Sequence, residues 1–342
     1  MNIYLKYFLL FLVLLLIVLM IYFIVTLIIY LIKITKALDF TLINNKYCKK
    51  DRCDPTDQQL NQKLPTIIID VNSWQLDVAK YCSIIIYSIE KAALIKANPV
   101  YPEELIAVKE VFDNKNDPVF GTIFTEKNTN SNNIWISFRG TQTNTEFKQD
   151  SLIKQESLFQ KQSSLKQLRM NFLKSSSGET PSVHQGFVDV YMNFRNDLLS
   201  TLKTLDPDKT NTIIISGHSL GAAVATLVGL DLLQSGYTPT NVVVYAFASP
   251  RVGDNTFKNF VDDELKLPLY RLVNISDVVP NMPLSVSSNI DDSSNPYIYL
   301  HCGVLVPFQI NRLSILNNHL MPTYMAGLET QLTPISPFPT QY

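Results

Sequence analysis

The segment Gly217-His218-Ser219-Leu220-Gly221 sets a hydroxyl between two glycines, each two positions away. An apolar, β-rich run from Thr212 to Ile215 comes before it, and an Ala/Leu-rich helix pattern from Ala222 to Leu233 follows. A strand that turns sharply into a helix lifts such a serine toward a substrate, and a bulky side chain at either glycine would crowd the turn. The helix N-terminus then aims unpaired amides at the point where negative charge develops when a carbonyl is attacked. The bland alternative is a serine that only caps the helix. Glycine placement, flanking pattern and the acid and base candidates downstream favour a nucleophile.

Serine attacks poorly until a base removes its proton, and histidine does this near neutral pH while a carboxylate fixes its tautomer. On sheet-and-helix hydrolase folds the order along the chain is serine, acid, histidine. Asp277 is the leading acid, because it follows the strand pattern Leu269 to Ile275 and can be presented by a loop at the sheet end. Asp254, Asp262, Asp263, Asp291 and Asp292 compete with it. Only His301 and His319 lie beyond Asp277, and position alone leaves both open, with the loop setting of Asn317-Asn318-His319 favouring the latter. His218 is a poor base, since its side chain diverges from that of its neighbour Ser219 at such a turn, and His184 precedes the serine.

These groups need a scaffold that brings distant strand ends together. Val78 to Ile95 reads as a helix, although its β-branched residues also permit a strand over part of it, and Val119 to Phe124 and Ile134 to Phe138 read as strands. After the serine turn come strand patterns at Asn241 to Ala248, Leu269 to Ile275 and Tyr297 to Leu300, and a closing helix from Met321 to Leu328. This alternation predicts a mostly parallel sheet covered by helices, with its active groups at strand ends. From Thr141 to Pro181 the chain is polar and irregular, fitting a surface helix or a cover over an apolar pocket.

The balance of 29 Lys+Arg against 30 Asp+Glu, a net charge of -1, argues against broad capture of nucleic acid. Four cysteines do not make a disulfide scaffold, and four histidines are few for a multi-histidine metal centre. Tyr7 to Ile32 carries no formal charge, and as a helix it would be about 39 Å long, enough for a hydrocarbon layer of about 30 Å. The expected organisation is thus an N-terminal transmembrane anchor at residues 1–33, a polar tether at 34–65 and one large domain at 66–342. Basic residues beyond the span place the large domain on the cytoplasmic side of a single-pass membrane protein. Cys48 and Cys53 could pair only if their segment faced an oxidising compartment, and Asn274-Ile275-Ser276 is a weak glycosylation pattern at the end of a core strand.

From about residue 75 to 330 the chain resembles the class 3 lipase family of α/β-hydrolases, typified by fungal triacylglycerol lipases. The matching pieces are Ile136-Ser137-Phe138-Arg139-Gly140-Thr141, Val183-His184-Gln185-Gly186-Phe187, the Ser219 turn, Phe247-Ala248-Ser249-Pro250-Arg251-Val252-Gly253 and Asn274-Ile275-Ser276-Asp277-Val278-Val279-Pro280. The resemblance implies Ser219 as nucleophile, Asp277 as acid and His319 as base, and casts His301 as a separate histidine before the final loop. It implies an oxyanion hole formed by the backbone amides of Thr141 and Leu220, a scaffold role for His184, and a lid in the polar stretch after Thr141. Arg139 reads as a structural partner beneath the oxyanion loop, with a positive clamp near lipid headgroups as the alternative. The implied reaction needs no metal or organic cofactor. The expected function is a membrane-anchored serine lipase, held to the bilayer through residues 7–32, that hydrolyses acylglycerols through an acyl-serine. The alternatives are a phospholipase A1 or diacylglycerol-selective lipase, and an inactive lipid-binding or scaffolding protein on the same fold.

Overall fold

The computed structural model describes residues 55, 69–113, 118–128, 130–141, 167–169, 181–287, 296–330 and 332–334. All of them belong to the compact unit Cys48–Tyr342; the other unit, Met1–Tyr47, contains no described residue.

A helix, α1 (Leu76–Leu94), precedes a seven-stranded sheet whose strands lie side by side in chain order. They are β1 (Leu105–Val111), β2 (Gly121–Glu126), β3 (Asn133–Phe138), β4 (Thr212–His218), β5 (Val242–Phe247), β6 (Leu269–Asn274) and β7 (Val304–Phe308). The first three run antiparallel to one another, and from β3 onward every pairing is parallel. Helix α2 (Gln185–Leu205) lies between β3 and β4, α3 (Leu220–Gln234) joins β4 to β5, and α4 (Ile315–His319) and α5 (Met321–Gly327) follow β7.

Alternation along the strands divides the core into two layers. Ile213, Ile215, Val242, Val244 and Ala246 pack with α2 and α3 on one face, whereas Ile214, Val243, Tyr245, Phe247 and Leu272 pack with α1 and α5 on the other. Every residue of β5 is buried, as expected of a central parallel strand covered on both sides. Hiding each such Val, Leu or Ile side chain contributes about 1.5–3 kcal/mol before the ordering entropy is set against it. Helix α1 turns Val78, Ala79, Cys82, Ile85, Ile86 and Ile89 inward, with Asp77 in its first turn and Lys91 in its last, both of the sign that the helix dipole favours.

The expected membrane anchor is corrected. Among the described residues no helix is long and apolar enough to cross a membrane. Helix α3 is buried from Gly221 to Leu233, but its 15 residues span only about 22 Å, short of a hydrocarbon layer. Helix α1 is amphipathic and spends its apolar face on the sheet. Residues 7–32, on which the anchor rested, lie outside the described residues. The fold of the described residues is therefore an α/β-hydrolase sheet with no transmembrane helix among them. The bilayer as a partner, the single-pass topology with a cytoplasm-facing domain and the membrane-anchored form of the function fall with it.

Other expectations lie beyond the described residues: the tether apart from Pro55, Cys48 and Cys53, Asp291 and Asp292, and the lid stretch apart from Gln167–Arg169. That short strand pairs antiparallel with Ser182–His184. The expected strand at Tyr297–Leu300 does not join the main sheet. Tyr297–Ile298 pairs with Val286–Ser287, Leu300 bridges to Gly253, and the sheet is completed by β7 beyond a turn at Gly303, where φ is +77°. Pro307 obscures β7 in the sequence, yet fits at an edge. The Phe308 carbonyl accepts from the Ile275 amide, so Phe308 faces β6 and its neighbour Pro307 faces away, where no N–H is needed.

Candidate active site

The sheet delivers its chemistry at the carboxyl ends of β3, β4 and β6. Strand β4 ends at His218, and Ser219 adopts φ 54°, ψ -122° as the residue before α3. A non-glycine residue in the positive-φ region stores on the order of 1–3 kcal/mol of strain. The flanking glycines make it possible. A Cβ on Gly217 would meet the Gly221 carbonyl oxygen at 2.1 Å, and one on Gly221 would meet the Arg139 carbonyl oxygen at 2.4 Å, so only backbone fits at either position. The Ser219 amide donates to the Phe247 carbonyl at 2.9 Å, which ties the turn to β5.

The three residues read as nucleophile, acid and base come together. His319 Nε2 lies 2.9 Å from Ser219 Oγ, and His319 Nδ1 lies 2.7 Å from Asp277 Oδ2. In that geometry the hydroxyl donates to Nε2 while Nδ1–H donates to the carboxylate. Asp277 is buried, and its Oδ1 accepts the Val279 amide at 3.0 Å while Oδ2 also accepts the Tyr324 hydroxyl at 2.7 Å. Burial alone would raise its pKa. The charge and hydrogen bond of His319, the Val279 amide and Tyr324 outweigh burial and hold the carboxyl below its usual range. The Asp277 carboxyl is thus kept ionised, the state that orienting an imidazolium would require.

His319 closes α4, which Ser314 caps by accepting the Asn317 amide at 3.3 Å, and Pro322 opens α5 immediately beyond. The two loops are laced together by amide side chains. Asn274 Nδ2 donates to the carbonyls of Ile310 and Asn318 at 2.8 and 3.0 Å, and its Oδ1 accepts the Ile310 amide at 3.0 Å. Asn318 Nδ2 donates in turn to the Ser276 carbonyl at 2.9 Å.

Thr141 is exposed and follows Gly140, where a Cβ would sit 3.2 Å from the Ser219 Cβ, so this strand end passes directly beside the nucleophile turn. Leu220 opens α3, where its amide has no acceptor within the helix. Arg139 is buried and donates from Nε to the Val119 carbonyl at 2.7 Å, from Nη1 to Gly140 at 2.8 Å and from Nη2 to Pro118 at 3.2 Å. It splints the strand that carries Gly140 and Thr141.

The remaining histidines and aspartates sit elsewhere. His184 accepts the Gly186 amide on Nδ1 at the start of α2, and burial pushes its pKa down to about 4. Burial and then the charges of Arg271 and Arg251 push His301 down to about 2, and its ring bonds the Pro280 carbonyl. Asp254 caps a short helix through the Phe257 amide, Asp262 accepts the Gly303 amide, and Asp263 is exposed. Sequence reasoning missed Glu90, Tyr324 and the bonding role of Asn274. Only Asn274 carried a signal, and it pointed to glycosylation. Among the described residues no cluster of His, Cys, Asp and Glu could hold a metal ion.

Residues 135–287 match the family described as Lipase (class 3). Phospholipase A1-II 3 of Oryza sativa subsp. japonica is 37% identical over 175 residues, covering 43% of this chain and 41% of the relative. A lipase of Rhizomucor miehei is 41% identical over 106 residues, covering 30% of this chain and 28% of the relative. The chain thus spans well under two thirds of the length of these curated relatives. Two solved structures share the fold: lipase II from Rhizopus niveus, with 22% identity, a TM-score of 0.51 and coverage of 69% of this chain and 81% of that one, and the lipase from Rhizopus microsporus var. chinensis, with 22% identity, a TM-score of 0.50 and coverage of 75% and 82%.

Proposed function

Because the chain matches the class 3 lipase family in sequence and in fold, we propose that it is a serine hydrolase of carboxylic esters in lipids, acting as a phospholipase A1. The observation that carries the reading is the unbroken chain of hydrogen bonds from Ser219 through His319 to Asp277. The similarity to a rice phospholipase A1 supports phospholipid as the substrate class.

In this reading His319 takes the Ser219 proton as Oγ adds to the ester carbonyl, and Asp277 stabilises the imidazolium that results. The amides of Thr141 and Leu220 receive the oxyanion of the tetrahedral intermediate, a role whose loss costs about 2.7–4 kcal/mol in sites of this type. Collapse passes the proton from His319 to the leaving alcohol and leaves an acyl-serine. His319 then deprotonates water, which attacks the acyl carbon and releases the fatty acid and the free Ser219 hydroxyl.

The test incubates the purified chain and its Ser219→Ala variant with a mixed panel of phospholipids, diacylglycerols and triacylglycerols, and identifies the products by mass spectrometry. The expected result is sn-1 fatty acid and 2-acyl lysophospholipid from the wild type and neither from Ser219→Ala. Release from diacylglycerol alone would move the substrate to neutral glycerides, and undiminished turnover by Ser219→Ala would remove the mechanism.

A further inference from the structure

Glu90 lies near the end of α1, 128 residues before His218, outside the hydrogen-bonded chain described above. Its Oε1 lies 2.7 Å from His218 Nδ1 and accepts the Gly140 amide at 3.1 Å. The other nitrogen of that ring, His218 Nε2, lies 2.8 Å from the backbone carbonyl oxygen of His319. One carboxylate therefore joins three segments that must meet for catalysis: the strand end leading into Thr141, the nucleophile turn and the loop of His319.

The partners fix the protons. A carbonyl oxygen accepts only, and so does an ionised carboxylate, so a ring facing both must donate from each nitrogen. His218 then carries a proton on each nitrogen and a positive charge. Its side chain is 5% exposed and that of Glu90 19%, so solvent screens the pair little. Burial opposes charge on both groups. Even so, the attraction between them, the bond to the His319 carbonyl and the Gly140 amide leave Glu90 below the usual carboxylate range and His218 above the usual histidine range.

The surroundings give this charge a use. His218 faces Glu90 from α1, the His319 ring from α4 at 4.7 Å between centroids, the Tyr324 ring from α5 at 5.9 Å, and the charge of Asp277 from the turn after β6. An isolated positive ring at that distance would oppose protonation of His319 during attack. Glu90 sets a compensating negative charge 2.7 Å from that ring.

We propose that Glu90 is a positioning residue for the hydrolysis: its carboxylate keeps His218 doubly protonated, and the pair holds the His319 loop and the strand leading to Thr141 in register with Ser219. This rests on the ester-hydrolase reading above. Replacing Glu90 by glutamine leaves an oxygen for the Gly140 amide but no charge to retain the second proton on His218. Either one ring bond or, if the glutamine turns its NH2 to Nδ1, the bond from the Gly140 amide is then lost.

The experiment combines kinetics on a soluble p-nitrophenyl ester with 15N NMR of histidine-labelled full-length chain. In the wild type both His218 nitrogens are expected to give imidazolium signals at pH 6.5, the ordinary histidine value above which its titration is moved. In Glu90→Gln that signature disappears, kcat falls about tenfold with KM nearly unchanged, and the cooperative thermal transition persists. Glu90→Asp, which keeps the charge on a shorter arm, is expected to recover the imidazolium signature and part of kcat. Should the glutamine variant fail to fold, the wild-type spectrum and the aspartate variant decide the question. A neutral His218 in an active wild type, or a folded Glu90→Gln with wild-type kcat, overturns the role of Glu90 alone. A folded wild type that cleaves no ester, soluble or lipid, overturns the hydrolase reading and the role of Glu90 with it.

Discussion

The Tyr324 hydroxyl lies 2.7 Å from Asp277 Oδ2, the same oxygen that lies 2.7 Å from His319 Nδ1. Two donors thus converge on one carboxylate oxygen from residues 47 and 42 positions away. The Tyr324 oxygen also accepts the Asn274 amide at 3.3 Å, so the phenol fixes both the acid and the strand end that presents it.

Tyr324→Phe keeps the ring packed against Phe308 and Phe247 and removes only the hydroxyl. Loss of that bond should raise the pKa of Asp277, because Tyr324 is one of the groups holding it down. The expected outcome is a kcat lower by about tenfold, an acid limb of the pH–rate profile moved to higher pH, and a stability loss of about 1–2 kcal/mol. Initial rates across pH and a denaturant titration check all three.

Asn274 heads the glycosylation pattern Asn274-Ile275-Ser276 but is fully buried, with its amide nitrogen bonded to two carbonyls. Folded protein secreted from a glycosylating host is expected to carry no glycan there, which peptide mass mapping reads directly. Asn274→Asp replaces those donors with an acceptor facing the Ile310 and Asn318 carbonyls. It is expected to cost about 2–3 kcal/mol, with a matching fall in melting temperature, and to lower kcat by loosening the His319 loop.

His184 is neutral in the folded chain, with its pKa pushed down from 6.5 to about 4 by burial. Between these values the unfolded chain binds the extra proton. The neutral ring therefore contributes stability above pH 6.5 that is lost as pH falls toward 4. The full effect is roughly 3 kcal/mol. His184→Asn keeps an acceptor for the Gly186 amide without a titrating ring. Denaturant titrations from pH 7 to 4 are expected to show a shallower decline for the variant than for the wild type, and an unchanged slope would contradict the assignment.

Elements with a strong local pattern were legible before the fold was known. Helix α1, strands β3 to β6 and the turn at Ser219 are read from apolar runs and glycine spacing, and the order of Ser219, Asp277 and His319 points to residues that the fold then assembles. The edge strands β1 and β7 were not, because Leu105–Val111 sets Lys109 and Glu110 side by side while leaving the apolar Ile106 and Val108 exposed, so that it shows no alternation, and Val304–Phe308 contains a proline. Glu90 and Tyr324 were beyond reach for another reason. Each looks like an ordinary helix residue, and its function exists only through partners 47 to 128 positions away. The charge-free run at Tyr7–Ile32, from which the anchor was read, lies outside the described residues, and none of the described helices spans a bilayer.

Pro307 has a consequence for molecules other than its own. The outer side of β7 would offer a row of open backbone groups on which a neighbouring polypeptide could add as a further strand. The pyrrolidine ring interrupts that row at a position where its own sheet asks nothing of it. The parallel side of this sheet thus ends in a built-in guard against edge-to-edge aggregation, supplied by the residue that hid the strand from view.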